Sequence, residues 1–285
     1  MKSKFLEKFM EIIFFISACT SIISVILICI FIFLGGIPAI GEIGLTNFLF
    51  GTNWSPSDIP PSFGILPMIL GSLYVTLGAI ILGVPIGILT AIYLAKFCPK
   101  KLYNYLKPAI NLMAGIPSIV YGFFGLVVLV PLSREIFGGT GHSIITASIL
   151  LGIMILPTII GLSEAAIRAV PDSYYEGSIA LGATHEQSVI FATLPAAKSG
   201  ILSSIVLGIG RAIGETMAVV MVAGNQSRMP AGLAKGIRTL TANIVIEMGY
   251  AADIHREALI ATGVVLFIFI LALNGLFSIL KRKVV

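Results

Sequence analysis

Five long stretches of this chain carry no charged side chain: Ile12 to Leu34, Gly64 to Ala95, Pro108 to Ser133, Ser143 to Ser163 and Ala258 to Leu280. Each has at least the ~20 residues that a helix needs to cross a bilayer, where every backbone polar group must be satisfied internally. A sixth stretch, Gly200 to Ala223, is interrupted only by Arg211 and Glu215. The expected fold is therefore all-α, a polytopic membrane protein with six transmembrane helices. Charged residues make up 11% of the chain, against ~25% in soluble domains, so a water-soluble globule is excluded. Six crossings of about 20 to 25 residues use about half of the 285, leaving loops and tails but no room for a soluble catalytic domain.

The net charge of +5 reads as membrane orientation, and no nucleic acid partner is expected. With the N-terminus in the cytoplasm, twelve Lys and Arg fall inside, among them Lys2, Lys4, Lys8, Lys107, Arg168, Lys281, Arg282 and Lys283. Five fall outside: Arg134, Arg228, Lys235, Arg238 and Arg256. The positive-inside rule then puts both termini in the cytoplasm, and the first outer loop, Gly35 to Phe63, has no Lys or Arg at all. Cys19, Cys29 and Cys98 lack metal-ligand spacing and read as small apolar fillers, so no metal site and no disulfide is expected. The apolar run after Lys8 exceeds the 7–15 residues of a typical signal-peptide core and reads as a retained first helix. The chain divides into residues 1–63, the first helix and outer loop, and 64–285, a core of five helices. Gly83 with Gly87 forms a small-xxx-small pair suited to close helix approach. The segment from Gly224 to Arg256 reads as a helix or re-entrant piece packed on the bundle.

The loop within 168–198 contains two helix-start signals. Ser173 with Glu176 and Thr184 with Gln187 each fit a capping box, and Gly182 between them is a natural helix stop. The expected form is helix, glycine turn, helix, ending at Leu194-Pro195. Arg168 and Lys198 against Asp172, Glu176 and Glu186 leave it nearly neutral, which suits insertion into a protein cleft and not phosphate contact with DNA. A plain connecting hairpin would use the same local chemistry.

Glu176-Gly177-Ser178, then Gly182, then Leu194-Pro195, resembles the EAA signature of ABC importer permeases in spacing throughout. Gly177 and Ser178 stand for its two alanines and Ala192 for its isoleucine. The resemblance implies a coupling helix that docks on an ATPase subunit, with that role falling on Tyr175, Glu176, Gly177, Ser178 and Gly182. The chain has no G-x-x-x-x-G-K-[ST] loop, so ATP and its Mg would be bound by the separate ATPase and no cofactor by this chain.

Arg211 and Glu215, four residues apart inside a span, are expected on one helix face. Intramembrane charges mark pathways by default, Arg211 attracting an anion and Glu215 balancing it when the passage is empty. An inert ion pair is the alternative. Gly208, Gly210 and Gly214 thin the same helix.

The string Arg211-Ala-Ile-Gly-Glu-Thr-Met-Ala-Val-Val-Met-Val-Ala-Gly-Asn225 closely resembles phosphate-importer permeases of the Pst system. Gly115-Ile-Pro-Ser-Ile-Val-Tyr-Gly-Phe-Phe-Gly125 and Arg238-Thr-Leu-Thr-Ala-Asn-Ile244 extend the resemblance, and Asn53-Trp54-Ser-Pro56 makes it similar to the PstC type. It implies a type I ABC importer (MetI-like) bundle in the prokaryotic plasma membrane, working by alternating access. Its implied partners are inorganic phosphate, a PstA-type permease, two copies of an ABC ATPase and an external phosphate-binding protein. A permease for molybdate or sulfate would share these features. An ion-coupled secondary transporter could use Arg211 and Glu215 but would have no use for an EAA-like loop. An intramembrane enzyme is disfavoured, since His185-Glu186 and His255-Arg256-Glu257 lack the second His of a zinc motif.

Overall fold

In this computed structural model the backbone is described for residues 2–284, and side chains for residues 6–275 and Ile279. The orientation marks Lys2, Lys4, Lys281, Arg282 and Lys283 lie outside the described side chains. In chain order the elements are α1 (Lys2–Ile43), α2 (Leu45–Phe50), a hairpin of β1 (Trp54–Ser55) and β2 (Ser62–Phe63), α3 (Leu66–Ile92), α4 (Lys100–Gly115), α5 (Ser118–Phe124), α6 (Val130–Phe137), α7 (Ile144–Arg168), α8 (Asp172–Ala180), α9 (His185–Ser188), α10 (Leu194–Gly214), α11 (Met217–Val222), α12 (Leu240–Glu247) and α13 (Asp253–Val284). Among the described residues six helical stretches are long and apolar enough to cross a membrane: 6–43, 66–97, 118–137, 144–168, 185–214 and 253–275.

Helix α7 is the axis, with 67% of its most apolar window buried, against 11–33% in the other spans. It lies close against α3 because glycines remove the side chains between them. A Cβ at Gly83 would stand 2.7 Å from Ile155 Cδ1, and one at Gly87 2.8 Å from Ile159 Cγ2. Small residues at this spacing let two backbones approach where lipid offers no hydrophobic drive of its own. Val75, Ala79, Leu150, Met154, Ile155 and Val219 fill the middle of the bundle. A second core at one end joins Ala39 of α1, Trp54 and Phe63 of the hairpin, Met68 of α3, Leu240 of α12 and Leu259 of α13. A third, at the opposite end, joins Ala91, Ile167, Val170 and Ala197 beside α8.

Two boundaries differ from the sequence expectation. The third span begins at Ser118, not Pro108, because Ile116 is extended (ψ 126°) ahead of Pro117; a residue before proline is driven out of the α region. The preceding stretch is a separate amphipathic helix, α4, with no fully buried residue. The helix after Gly182 does not end at Leu194-Pro195 but runs on as one span to Gly214 through a widened, π-type turn at Val189–Thr193. Pro195 has no N–H to give, and a widened turn just ahead of it absorbs the lost bond. Similar turns at Tyr93–Phe97 and Gly125–Leu129 precede Pro99 and Pro131.

Candidate functional site

At the α8 end, the chain turns from α8 into α9 through two backbone hydrogen bonds. Gly182 takes φ +91°, its N–H donates to Ile179 O at 2.9 Å, and Ala183 N–H donates to Ser178 O at 3.1 Å. These two bonds form a Schellman motif, which needs a left-handed residue and hence favours glycine. Thr184 and Gln187 then form the expected capping box at the start of α9. The box expected at Ser173 and Glu176 is not formed: Pro171 is the N-cap of α8, with no side-chain cap, so Ser173 already lies inside the helix.

The turn is tied to the rest of the bundle through His185. Its Nε2 is 3.2 Å from Lys96 O, and its Nδ1 is 2.8 Å from the Tyr175 hydroxyl. A carbonyl can only accept, so Nε2 carries the proton and Nδ1 accepts from Tyr175. Phe97 meets the imidazole edge-on at 4.8 Å, and Lys96 Nζ stands 5.8 Å over the Tyr175 ring. Helix α8 buries no residue fully, and Tyr174, Ile179 and Leu181 project outward, Leu181 92% exposed. The result is a rigid, apolar-tipped protrusion held at its base.

Within the bundle, α10 ends at Gly214 and the backbone is extended at Glu215 (φ −69°, ψ 132°). Arg211 and Glu215 therefore do not share a helix face, and among the described residues they form no ion pair. Arg211, in the last turn of α10, donates from Nη1 to Thr158 Oγ1 on α7 at 3.3 Å. Glu215 turns the other way: its carboxylate accepts from Ala218 N–H at 3.4 Å, and its carbonyl accepts from Thr241 Oγ1 at 3.0 Å. A Cβ on Gly210 or Gly214 would meet nothing within 4 Å, whereas Gly208 backs onto Ile159. The free face beside Arg211 is thus bare backbone.

At the hairpin end lies a polar cluster that sequence reading did not assemble. Glu247, at the end of α12, accepts from Arg238, from Trp54 Nε1 at 2.8 Å and, on the same oxygen as Trp54, pairs with His255 Nε2 at 2.8 Å. Arg238 also donates to Asn225 O and Asn243 Oδ1 at 3.0 and 2.9 Å. Burial, followed by the Glu247 charge, raises the Tyr250 phenol above its ordinary range. This cluster pins the β1–β2 hairpin to the segment that follows the break at Glu215.

Residues 83–285 match the family of binding-protein-dependent transport system inner membrane components. The chain belongs to this family. It is 39% identical over 280 residues to a probable ABC transporter permease, YqgH, of Bacillus subtilis, covering 94% of this chain and 90% of the relative. It is 33% identical over 262 residues to the phosphate transport system permease PstC of Mesorhizobium japonicum, covering 85% and 79%. Among solved structures, a bacterial alginate ABC transporter aligns with TM-score 0.65 at 17% identity over 95% of each chain. The inward-facing MetNI methionine transporter aligns with TM-score 0.63 at 23% identity, over 78% of this chain and 96% of that one. At such identities these two show the fold alone, that of a type I ABC importer permease.

As an ABC importer permease, the chain is a transporter subunit and not an enzyme. The fold brings Tyr175, Ser178 and Gly182 into one turn and leaves Glu176 and Gly177 exposed on its outer side. It separates Arg211 from Glu215. The hairpin-end cluster was missed because Trp54 and Glu247 are 193 residues apart in sequence.

Proposed function

We propose that this chain is the PstC-type permease subunit of an ATP-driven importer of inorganic phosphate. It sits in the prokaryotic plasma membrane with both termini and the α8 end cytoplasmic, and residues 64–285 form the translocating core. A PstA-type permease completes the pathway, two copies of an ABC ATPase bind ATP and Mg, and an external binding protein delivers phosphate at the hairpin end. The relatives named as phosphate permeases support the substrate. The structural observation that carries the reading is Arg211: among the described residues its hydrogen-bond partner is one neutral hydroxyl, Thr158, so most of its planar donor fork is free for an oxyanion.

In this reading ATP binding closes the ATPase pair around α8 and the Gly182 turn, with Tyr175, Glu176, Gly177, Ser178 and Gly182 as the docking residues. That movement favours one state of the bundle over the other, as any ligand-driven shift requires. Phosphate then passes Arg211, with Glu215 at the helix break balancing the charge of the empty passage. The test is a reconstituted complex in which phosphate-loaded binding protein stimulates ATP hydrolysis and phosphate uptake, and in which Arg211→Gln lowers uptake while the subunits still co-purify. Normal uptake by that variant would remove Arg211 from the pathway. Competition by molybdate or sulfate at equal concentration would reassign the anion.

A further inference from the structure

Beside α8, α7 carries a carboxylate that the mechanism above does not use. Glu164 is 2% exposed and accepts from Lys107 Nζ at 2.7 Å, from the Tyr103 hydroxyl at 2.8 Å and from Arg168 Nε at 2.8 Å. Lys107 and Tyr103 lie on α4, Arg168 one turn further along α7. Arg168 has a second hand: Nη2 donates to Leu94 O at 2.7 Å, in the widened turn Tyr93–Phe97 whose Lys96 carbonyl holds His185. Polar contact therefore runs without a gap from Tyr175 through His185 and that turn to Arg168, Glu164 and α4.

From α4 the contact continues toward the helix break. Tyr121 on α5 donates to Met113 O near the end of α4 at 2.9 Å. Helix α5 lies directly on α11, where a Cβ at Gly122 would meet Ala218 Cα at 2.9 Å. Helix α11 starts two residues after Glu215, whose carboxylate accepts from Ala218. Since α4 has no fully buried residue, these polar ties and its packing on α7 are what locate it.

The charge arithmetic at Glu164 favours a swivel over a clamp. With two cations on one buried carboxylate, Lys107 can leave without stranding an uncompensated charge, because Arg168 stays bonded on its own helix. We propose that Glu164 is a positioning residue, joining the ATPase-facing turn to the pathway at Arg211 and Glu215 through α4. The proposal rests on the coupling role given above to α8 and the Gly182 turn.

The test uses the assembled complex in lipid, with Glu164→Gln and Lys107→Gln compared for complex yield, hydrogen exchange and phosphate moved per ATP. E164Q should speed exchange in 100–113 and in 172–188 together, and lower phosphate moved per ATP about tenfold, within the range of ordinary coupling energies. K107Q leaves Glu164 paired with Arg168; it should speed exchange in 100–113 alone and also lower the ratio. If E164Q does not assemble, K107Q decides the matter. Assembled variants that keep the wild-type ratio, or E164Q exchange confined to 100–113, would overturn the proposal. A wild-type complex that moves no phosphate would instead overturn the phosphate reading, and the exchange result would then decide the role of Glu164 by itself.

Discussion

Replacing Glu247 with Gln asks whether the hairpin is held by charge or by packing. The carboxylate serves Arg238 on one oxygen, and Trp54 Nε1 and His255 Nε2, each at 2.8 Å, on the other. Gln presents one acceptor oxygen and one amide that only donates, so one side of the cluster loses its bonds whichever way the amide turns. Arg238, 14% exposed, would keep only neutral acceptors, Asn225 O, Asn243 Oδ1 and, in one orientation of the amide, the Gln oxygen. Removing one partner of a buried ion pair costs about 3–5 kcal/mol, and residual access of water here places the loss at the lower bound, about 3 kcal/mol. At 1.4 kcal/mol per factor of ten, this is roughly a hundredfold shift toward the undocked hairpin. Trp54 is the sole tryptophan of the chain and is 5% exposed, so its emission and its quenching by iodide report the hairpin directly. In Glu247→Gln the Trp54 transition should move to lower urea while helix content by circular dichroism stays constant over the same range. A transition at the wild-type urea concentration would mean that ring packing of Trp54 and Phe63 on His255, at 6.2 and 6.3 Å, holds the hairpin unaided, and the electrostatic account would be refuted.

Gly182→Ala places a side chain at φ +91° with no neighbour to clash, so its cost is backbone alone, about 1–2 kcal/mol; hydrogen exchange in 178–186 should accelerate, and less so for Gly182→Asn. Gly83→Ala puts a Cβ 2.7 Å from Ile155 Cδ1 and 2.9 Å from Gly152 O, an overpacking worth about 1–3 kcal/mol that should lower the thermal midpoint in detergent. Gly161→Ala on the same helix pair meets nothing within 4 Å and should raise it, since glycine inside a helix costs about 0.5–1 kcal/mol. Tyr175→Phe removes the hydroxyl from His185 Nδ1, a loss of about 1 kcal/mol; retention of the ATPase during co-purification should fall several-fold, and unchanged retention would separate this contact from docking.

The spans were legible because a bilayer imposes one requirement, a run of about twenty uncharged residues, that the sequence displays directly. The Gly182 turn and the Thr184 cap were legible because their chemistry closes within six residues. Other features depended on distant partners. The break after Gly214 leaves no trace in hydropathy; the carbonyl of Glu215 is met by Thr241, 26 residues on. Counting charges started the third span at Pro108, whereas the backbone turns at Ile116-Pro117, and the Lys residues of α4 that looked like orientation marks include one bonded to Glu164 from 57 residues away. Glu164 and Arg168 stand at the i, i+4 spacing of a helical pair, but the sequence reading did not single Glu164 out, and nothing local revealed that α4 would close over it.

Helix α1 has a consequence of its own. Its 42 residues span about 63 Å at 1.5 Å per residue, and the uncharged run from Ile12 to Gly41 within it spans about 45 Å, longer than a hydrocarbon layer of ~30 Å. It grips its own chain mainly along one stretch of α13, where Phe33 meets Phe267 edge-on at 5.9 Å and a Cβ on Gly36 would touch Val264 at 2.8 Å. Mismatch of this kind is relieved by leaning or by local bilayer deformation, at fractions of a kcal/mol per Å. Where leaning relieves it, the helix acts as a strut pivoting on α13, and acyl-chain length in the surrounding lipid becomes a mechanical variable of the bundle.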